Sequence, residues 1–383
     1  MFTPPHCPNS SCINFEKPSK TNWYSFFSFY YTKAFGKVPR FICKDCKKTF
    51  SSQTFSIDYY VKQPLDYSRI LSMLNSSAGI RNIARTLGIH HQSIINRIKR
   101  LSRNALIINE QLINKLPFKE DFASDGFESF ILSQYFPDNY NILVGKDSRF
   151  LYYSDYVTIR RKGRMRDDQK RKRAQLELRW RADRKGIEKS FMNLSEWLAE
   201  KCREREEKLI LYTDEKKDYQ RALCKSRVCS ELIKKGRWEH RKISSKVKRD
   251  FNNPLFAVNY MDREFRKDMA NHVRESVKFA RNVNNAMERM VIYSFEHNYM
   301  KDFKIDGYNK KGCTHYQKAG GDGRLEAELL EGFFKRRYFM RNKRAFDKSS
   351  YKTISGLWET PLEKRSEYRG NGVRKRSRHF DMW

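Results

Sequence analysis

Two aspartates occupy positions where a carboxylate is costly, and this placement constrains the fold more than any other feature of the sequence. Asp125 follows a short extended run, and Asp214 comes directly after the apolar, β-prone run Leu209–Thr213. A carboxylate in or at the end of a buried strand costs several kcal/mol unless it is paired or bound to a metal ion. A third acid, Asp262 or Glu264, opens a helical pattern in which apolar residues recur every four positions. We therefore expect two strands and a helix to bring three acids into one metal-binding site.

Such a site has a definite chemistry. Clustered carboxylates repel one another, and hard divalent cations such as Mg²⁺ or Mn²⁺ relieve that repulsion. Two such ions would activate a water or a DNA 3′-hydroxyl for attack and stabilise the leaving oxygen of an in-line displacement. Two strand acids that converge on one helix acid are the layout of a two-metal nuclease or transposase. Nothing in this motif set requires a tyrosine or serine nucleophile.

The charge of the chain indicates the kind of partner. The 383 residues include 79 lysines and arginines against 45 acids, which gives a formal net charge of +34. Ordinary domains carry a charge of only a few units, so this excess predicts attraction to a polyanion, and nucleic acid is the first choice. The alternative is a basic surface that serves only solubility. No apolar run reaches about 18 residues, so we expect no membrane span.

The cysteines predict a zinc site. The first six residues lack the features of a secretory signal, so we expect a cytoplasmic protein whose eight cysteines are not disulfide-bonded. Four residues separate Cys7 from Cys12, and two separate Cys43 from Cys46. Four thiolates on two tight turns suit structural Zn²⁺ and predict a zinc ribbon over residues 1–60. His6 as a substitute for one sulfur, or four unrelated thiols, are the alternatives.

Residues 65–106 show the periodicity of three helices, with Gly88 able to form a tight turn before the third. This pattern is typical of a helix-turn-helix, which we place with its linker at residues 61–118. Polar residues of the third helix lie away from its apolar stripe and suit base and phosphate contacts in a major groove: Gln92, Ser93, Asn96, Arg97, Lys99, Arg100 and Arg103. A three-helix packing module with a solvated face is the alternative.

The remaining elements predict a mixed sheet. After Asp125, residues 140–144 and 149–153 read as a hairpin, which matches the opening of a ribonuclease-H-like sheet. Basic runs and helical segments over 160–207 predict an insertion beside that sheet. A strand that ends at Asp214, a helix, a last strand near 237–244 and a long helical pattern over 259–299 follow. Residues 306–383 read as a basic C-terminal extension, turn-rich and mobile from Tyr338.

The chain resembles the DDE transposases of bacterial insertion sequences, close to the insertion-sequence-one group. The resemblance covers roughly residues 5–300 in domain order. Its motifs are the strand acids and a final acid followed by arginine, then an HxR-like segment, His272 to Arg274, and the Ser-x-x-Phe segment from Ser276 to Phe279. The family usually presents a glutamate as the third acid, with an asparagine three residues later, whereas this chain has Asp262-Arg-Glu264.

By position, the resemblance implies that Asp125, Asp214 and Asp262 are the catalytic, magnesium-binding acids, with Glu264 as the alternative third acid. Glu288 reads as an exposed helix residue. The implied architecture is multidomain α+β, with a ribonuclease-H-like catalytic domain over 119–305 that carries the basic helical insertion. The implied partner is double-stranded DNA, both element ends and target, and the implied assembly is a homo-oligomer at synapsis, in a nucleoid-associated bacterial protein.

The implied activity is metal-dependent strand cleavage at element ends followed by transfer of the 3′-hydroxyl into target DNA. Two other functions fit the sequence. A non-catalytic zinc-ribbon and helix-turn-helix regulator, or a decayed transposase, accounts for the charge and the first 118 residues but leaves the strand acids unexplained. A structure-specific nuclease of ribonuclease-H-like fold would use the same acids without needing element ends.

Overall fold

The structure is a computed structural model that describes residues 2–18, 20–273, 277–304, 312–342 and 345–363. In these ranges the chain is an α+β protein with two sheets and twelve α-helices. The strands are β1 (Tyr24–Thr32), β2 (Gly36–Cys43), β3 (Thr49–Ser51), β4 (Phe122–Phe130), β5 (Pro137–Gly145), β6 (Leu151–Thr158), β7 (Leu209–Thr213) and β8 (Trp238–Lys242). The first seven helices are α1 (Tyr67–Leu74), α2 (Ile80–Thr86), α3 (His91–Ile113), α4 (Asp167–Arg179), α5 (Gly186–Lys201), α6 (Lys217–Lys225) and α7 (Arg227–Lys234). The others are α8 (Phe256–Asp268), α9 (Val283–Tyr299), α10 (His315–Lys318), α11 (Gly323–Glu331) and α12 (Lys348–Ser355).

The N-terminal sheet is antiparallel in the order β1-β2-β3. Gly36 opens β2 with a φ of 63°, which lets the chain turn tightly between the first two strands. Between the sheet and the following turn lies a small aromatic core in which the Trp23 and Phe50 rings stack with centroids 5.6 Å apart. This core contains few side chains, so its stability depends on a further constraint.

The three helices predicted after residue 65 are present, but the third is longer than expected. Asp66 caps α1 by accepting hydrogen bonds from the backbone N–H groups of Ser68 and Arg69. Gly88, with a φ of 63°, makes the turn between α2 and α3. The predicted third helix and the predicted linker form one continuous helix, α3, because its apolar stripe continues through Leu112 into the main core.

The second sheet has the strand order β6-β5-β4-β7-β8. Strands β4, β5 and β6 are antiparallel neighbours, whereas β7 and β8 run parallel to β4. Helices cover both faces, because consecutive strand residues point to opposite sides. On one side, Phe122 packs in a cluster with Phe191 of α5 and Tyr219 of α6. On the other side, Ala123 packs in a cluster with residues of α8 such as Met261.

The region expected to be a basic helical insertion, residues 160–207, contains two different kinds of helix. α4 is strongly basic and has no buried residue. α5 lies beside the sheet, and its residues Phe191, Leu194 and Leu198 are fully buried. The apolar stripe of α5 therefore makes this helix part of the core.

The helical pattern predicted over 259–299 is divided into α8 and α9. Between them the chain returns to the end of β4, where the N–H of Leu132 donates to the carbonyl of Ala280 at 2.8 Å. His272 is buried there, and its Nδ1 lies 3.0 Å from the Ser129 hydroxyl. These tertiary contacts replace the helical backbone bonds. Arg274 and Ser276 of the resemblance motifs lie outside the described residues.

The described part of the C-terminal extension packs on the core rather than forming a turn-rich tail. Residues of α12 lie against α3, α9 and β6, and Ile354 joins Leu106 and Ile107 in a small apolar cluster. The Asp347 side chain caps α12 through the N–H groups of Ser349 and Ser350. Ile354 is the only apolar residue among the buried residues of this short helix, so the helix has little apolar periodicity, which explains why the sequence did not predict it. Residues 364–383 lie outside the described ranges.

Glu288 of α9 is buried, with 3% of its surface exposed, and was wrongly predicted to be an exposed helix residue. Its Oε2 has no hydrogen-bond partner. Burial raises the pKa of Glu288 to about 7, while the charges of Lys99 on α3 and of Arg289 oppose that rise. The native state therefore retains a proton on Glu288 that the unfolded chain releases at lower pH.

Glu288→Gln is expected to increase the free energy of unfolding at pH 8 by about 3 kcal/mol and to change it little near pH 4. Below the unfolded pKa, both states carry the proton. Between the ordinary pKa of 4.5 and the folded pKa of about 7, the unfolded chain loses the proton while the native side chain keeps it, so the native chain becomes less stable. Above pH 7 the native glutamate bears the full cost of a buried charge, which glutamine avoids. Urea unfolding at both pH values measures the difference, with the exposed Glu328→Gln as the control. An equal effect at the two pH values would contradict the assignment.

Candidate functional site

Four cysteines form a cluster at the edge of the N-terminal sheet. The ligand atoms of Cys7, Cys12, Cys43 and Cys46 all lie within 4.8 Å of one another. The Sγ atoms of Cys7 and Cys46 are 3.6 Å apart, and those of Cys12 and Cys43 are 3.7 Å apart. A tetrahedral zinc site with Zn–S bonds of about 2.3 Å has sulfur–sulfur edges of about 3.8 Å. The spacing of the sulfurs therefore fits a zinc ion, as the sequence predicted.

The surroundings of the cluster orient the sulfurs. The Asn14 amide Nδ2 lies 3.7 Å from the Cys43 Sγ and donates to the Asp45 carboxylate at 2.5 Å. His6 was the alternative ligand, but its Nδ1 lies 3.0 Å from the Cys7 carbonyl oxygen and its ring packs edge-on against Phe55. His6 therefore belongs to the aromatic packing around the cluster, which is complete with four sulfurs.

Asp125 lies on β4, the central strand of the second sheet. Its Oδ1 accepts hydrogen bonds from the Gly126 N–H at 2.7 Å and from the Tyr219 hydroxyl at 3.3 Å. Burial raises the pKa of Asp125, and the neighbouring Asp214 carboxylate raises it further. The Gly126 N–H and the charges of Lys216 and Arg249 oppose that rise. A carboxylate in this environment is stabilised by a cation.

Asp214 comes directly after β7, which lies beside β4 in the sheet. Its Oδ1 accepts a hydrogen bond from the Lys216 N–H at 3.0 Å, which fixes the turn that leads into α6. The preceding residue, Thr213, has its hydroxyl 2.8 Å from His240 Nε2 on β8. Burial lowers the pKa of His240 to about 4, so its imidazole is neutral at pH 7. The end of β7 is thus held in place by contacts with its own turn and with β8.

Asp262 and Glu264, the two alternatives for the third acid, have different environments on α8. Burial raises the pKa of Asp262 to about 7, with a further contribution from Asp125, and Arg266 opposes the rise. The Asp262 Oδ1 is buried without a hydrogen-bond partner. Glu264, two residues further along the helix and so on a different face, forms an ion pair with Lys267 at 2.8 Å. Of the two acids, Asp262 is the one whose pKa the charge of Asp125 raises.

The three aspartates are more widely spaced than the cysteines. Within the described ranges, the Cys7, Cys12, Cys43 and Cys46 group is the only one with three or more possible ligand atoms all within 4.8 Å. Asp125 is the common neighbour, since the charge of Asp214 raises the pKa of Asp125 and the charge of Asp125 raises the pKa of Asp262. The sequence analysis missed the cations around these acids, Lys216 and Arg249. Both lie in turns between elements, where no periodic pattern distinguishes one basic residue from another.

The predicted DNA-contacting residues of α3 fall into two groups. Gln92 and Asn96 are exposed, and Ser93, Lys99 and Arg100 are partly exposed. Arg97 and Arg103 are buried, which corrects the expectation that both face solvent.

The buried arginines hold the segment that precedes α1. The Arg97 guanidinium donates to the Gln63 carbonyl at 2.8 Å, and Arg103 donates to the Tyr59 hydroxyl. Arg100 donates to the Ile57 carbonyl at 2.5 Å, and its guanidinium lies 4.0 Å from the centroid of the Tyr59 ring. The sequence pattern placed these arginines away from the apolar stripe of α3, but residues 57–63 cover them in the fold.

A groove of about 480 Å³ separates that segment from the exposed part of α3. Its lining includes Lys62, Ser93, Asn96, Lys99 and Arg100. Cations, a hydroxyl and an amide in one groove are suited to phosphate and base contacts.

Substitutions on α3 should separate binding from stability. Gln92→Ala with Asn96→Ala is expected to weaken duplex binding about tenfold or more without changing the melting temperature, because amides at base edges contribute about 1–3 kcal/mol each. Arg97→Ala is expected to lower the melting temperature, because the Gln63 carbonyl loses its donor. Fluorescence anisotropy and thermal unfolding measure the two effects. Unchanged binding in the double variant would remove α3 from the interface.

No protein-family model matches the chain, and a search of curated proteins gives no significant match. None of the helices in the described part of the chain has the length and apolar character that crossing a membrane requires.

Proposed function

We propose that the protein is a DNA transposase that binds the ends of its element and catalyses metal-dependent strand cleavage and 3′-hydroxyl strand transfer. One observation carries the proposal. Adjacent parallel strands, β4 and β7, present Asp125 and Asp214, and α8 presents Asp262 to the first of these acids. Asp262 also has a buried oxygen without a hydrogen-bond partner in the protein, which a cation would satisfy.

The sheet supports a ribonuclease-H-like catalytic domain, proposed over residues 119–305. Three antiparallel strands followed by two parallel strands, with the first strand central and helices on both faces, is the arrangement expected for that fold. The four-cysteine cluster supports a zinc ribbon over residues 1–60. Helices α1 to α3 support a helix-turn-helix over 61–118, although α3 continues into the core of the catalytic region. The extension over 306–383 completes the proposed organisation.

In the proposed mechanism the side chains of Asp125, Asp214 and Asp262 would hold the divalent ions. The ions, Mg²⁺ or Mn²⁺, would supply the activation of the attacking hydroxyl and the stabilisation of the leaving oxygen. Asp125 is fixed by the Gly126 N–H and the Tyr219 hydroxyl.

The chain's own cations would bind the substrate. Lys216 and Arg249 act on Asp125 by their charge, which places them near the acids. Positive charge at this position attracts the DNA phosphate that is to be cut. The net charge of +34 and the basic groove beside α3 support double-stranded DNA as the partner.

The two candidate third acids provide a matched test of the site. Asp262→Asn is expected to reduce Mg²⁺-dependent cleavage of an element-end duplex by about 1,000-fold, because a metal ligand is lost. Glu264→Gln, two residues away on the same helix, is expected to keep cleavage within a few-fold of the native rate. A gel assay with end-labelled DNA measures both. The reverse pattern would make Glu264 the third acid, and full activity in both variants would reject the proposed site.

A further inference from the structure

The strand β1 exposes an unusual number of aromatic rings. Phe26, Phe27, Phe29 and Tyr31 are 54%, 51%, 48% and 76% exposed, and together they form what we call the aromatic strand surface. Phe26 also reaches the small core of this sheet, which is filled by Trp23, Phe41, Phe50 and Phe55, and its ring centroid lies 6.4 Å from that of Phe41. Neighbouring aromatic rings that remain exposed on a folded protein mark an interaction site. Their exposure to water costs free energy, and the packing of the protein's own core does not require them to be exposed.

The geometry of β1 puts rings on both faces of the hairpin. The pairing of β1 with β2 is irregular between Phe26 and Ser28, so Phe27 is an extra residue and points away from its neighbours. Phe26 and Phe29 are consequently brought together, with ring centroids 4.7 Å apart. Tyr31 lies on the same face as Phe29, because alternate strand residues share a face.

Cations lie directly on these rings. The Lys37 Nζ is 4.1 Å from the centroid of the Phe29 ring, and the Arg40 guanidinium is 5.3 Å from the centroid of the Phe27 ring. Between Glu16 and Asp45 the sequence contains no acid and these basic residues: Lys17, Lys20, Lys33, Lys37, Arg40 and Lys44. A surface with this charge repels a second copy of itself and attracts a polyanion.

We propose that the aromatic strand surface binds single-stranded DNA by stacking unpaired bases on its rings while the neighbouring lysine and arginine side chains contact the phosphates. Proteins that bind single strands without reading sequence combine these two features. A duplex does not satisfy the surface, because its base faces are already stacked on one another. The inference goes beyond the proposed function, which requires duplex binding, and it does not depend on the three aspartates.

Binding of a labelled oligodeoxythymidylate to the full-length chain tests the proposal by fluorescence anisotropy. Thymidylate is suitable because it forms no self-paired structure. The variant Phe29→Leu with Tyr31→Leu keeps apolar side chains but removes two rings, and it is expected to weaken binding by roughly tenfold or more per ring. Tyr351→Leu, which alters a ring 41% exposed on α12, is the control and should bind as the native chain does. Lys37→Gln should reduce the salt dependence by about one phosphate contact.

Further measurements distinguish the other occupants of this surface. Zinc content and the melting temperature show that each variant is folded. If Phe29→Leu with Tyr31→Leu lost affinity equally for single-stranded and duplex DNA, the proposal would be overturned, since stacking on unpaired bases would not be involved. A changed oligomeric state with unchanged affinity for thymidylate would also overturn it, and would make the surface an interface between copies.

The proposal and the proposed function can fail separately. Asp125→Asn should retain full affinity for thymidylate, because the site lies on the other sheet. A native chain that binds thymidylate through these rings but cuts no DNA would leave the present inference standing and remove the transposase. A chain that cuts DNA but does not bind thymidylate would do the opposite.

Discussion

Asp125→Asn is expected to reduce Mg²⁺-dependent DNA cleavage by about 1,000-fold or more while leaving duplex affinity unchanged. Asp125 is coupled to both other acids, because the charge of Asp214 raises the pKa of Asp125 and the charge of Asp125 raises the pKa of Asp262, so it lies at the centre of the proposed metal site. An amide keeps the size of the side chain but lacks the negative charge that would hold a divalent cation, so the transition state would lose several kcal/mol of stabilisation. Single-turnover cleavage of an end-labelled duplex measures the rate.

The control for this substitution is Asp121→Asn, one residue before β4 on the same segment of chain. Asp121→Asn should change the cleavage rate by no more than a few-fold, because Asp121 is not one of the three proposed metal-binding acids. Binding affinity is measured in EDTA for both variants, which separates chemistry from recognition. Cleavage by Asp125→Asn at the native rate would contradict the site and with it the transposase proposal.

Cys43→Ser is expected to abolish stoichiometric zinc binding and to unfold the N-terminal sheet. The aromatic core of that sheet is too small to be stable alone, and structural zinc contributes about 10–16 kcal/mol of apparent binding free energy in small domains. The measurement combines zinc content by mass spectrometry with limited tryptic digestion. Trypsin should cut the backbone after Lys37, Arg40 and Lys44 once the sheet has unfolded.

Cys224→Ser provides the matched control, since Cys224 is exposed on α6 and lies outside the cluster. It should retain zinc and resist digestion as the native chain does. Chelation of the native chain should reproduce the digestion pattern of Cys43→Ser. Retention of one zinc ion per chain in Cys43→Ser would show that three sulfurs are sufficient or that the metal binds elsewhere.

Local signals in the sequence predicted the positions of the candidate sites. The spacings of the cysteine pairs predicted a cluster of four thiols, and the four sulfurs do lie together. An acid directly after an apolar run predicted that Asp214 ends a strand, and β7 does end at Thr213. Each of these inferences needs only neighbours in the chain, because turns and strand ends are set by a few consecutive residues. The chemistry assigned to the acids stays a prediction.

Long-range contacts explain what the sequence did not predict. The sequence pattern placed Arg97 and Arg103 away from the apolar stripe of α3, and only the fold shows that residues 57–63 cover them. The segment between α8 and α9 contains neither proline nor glycine, and the helix is interrupted because His272 contacts Ser129. The apolar stripe of α5 is flanked by basic residues in the sequence, and only its packing against the sheet shows that the stripe belongs to the core. In each case the deciding partner is distant in the sequence.

Cleavage and joining of a labelled duplex that carries the element's own ends is the most direct test of the proposed function. The assay compares Mg²⁺ with EDTA in the native chain and supplies a supercoiled plasmid as the target. We expect cutting at the element ends and covalent transfer of the 3′-hydroxyl strand into the plasmid with Mg²⁺, and neither product with EDTA. Binding of the ends without cutting in Mg²⁺ would contradict the transposase proposal and favour a DNA-binding regulator.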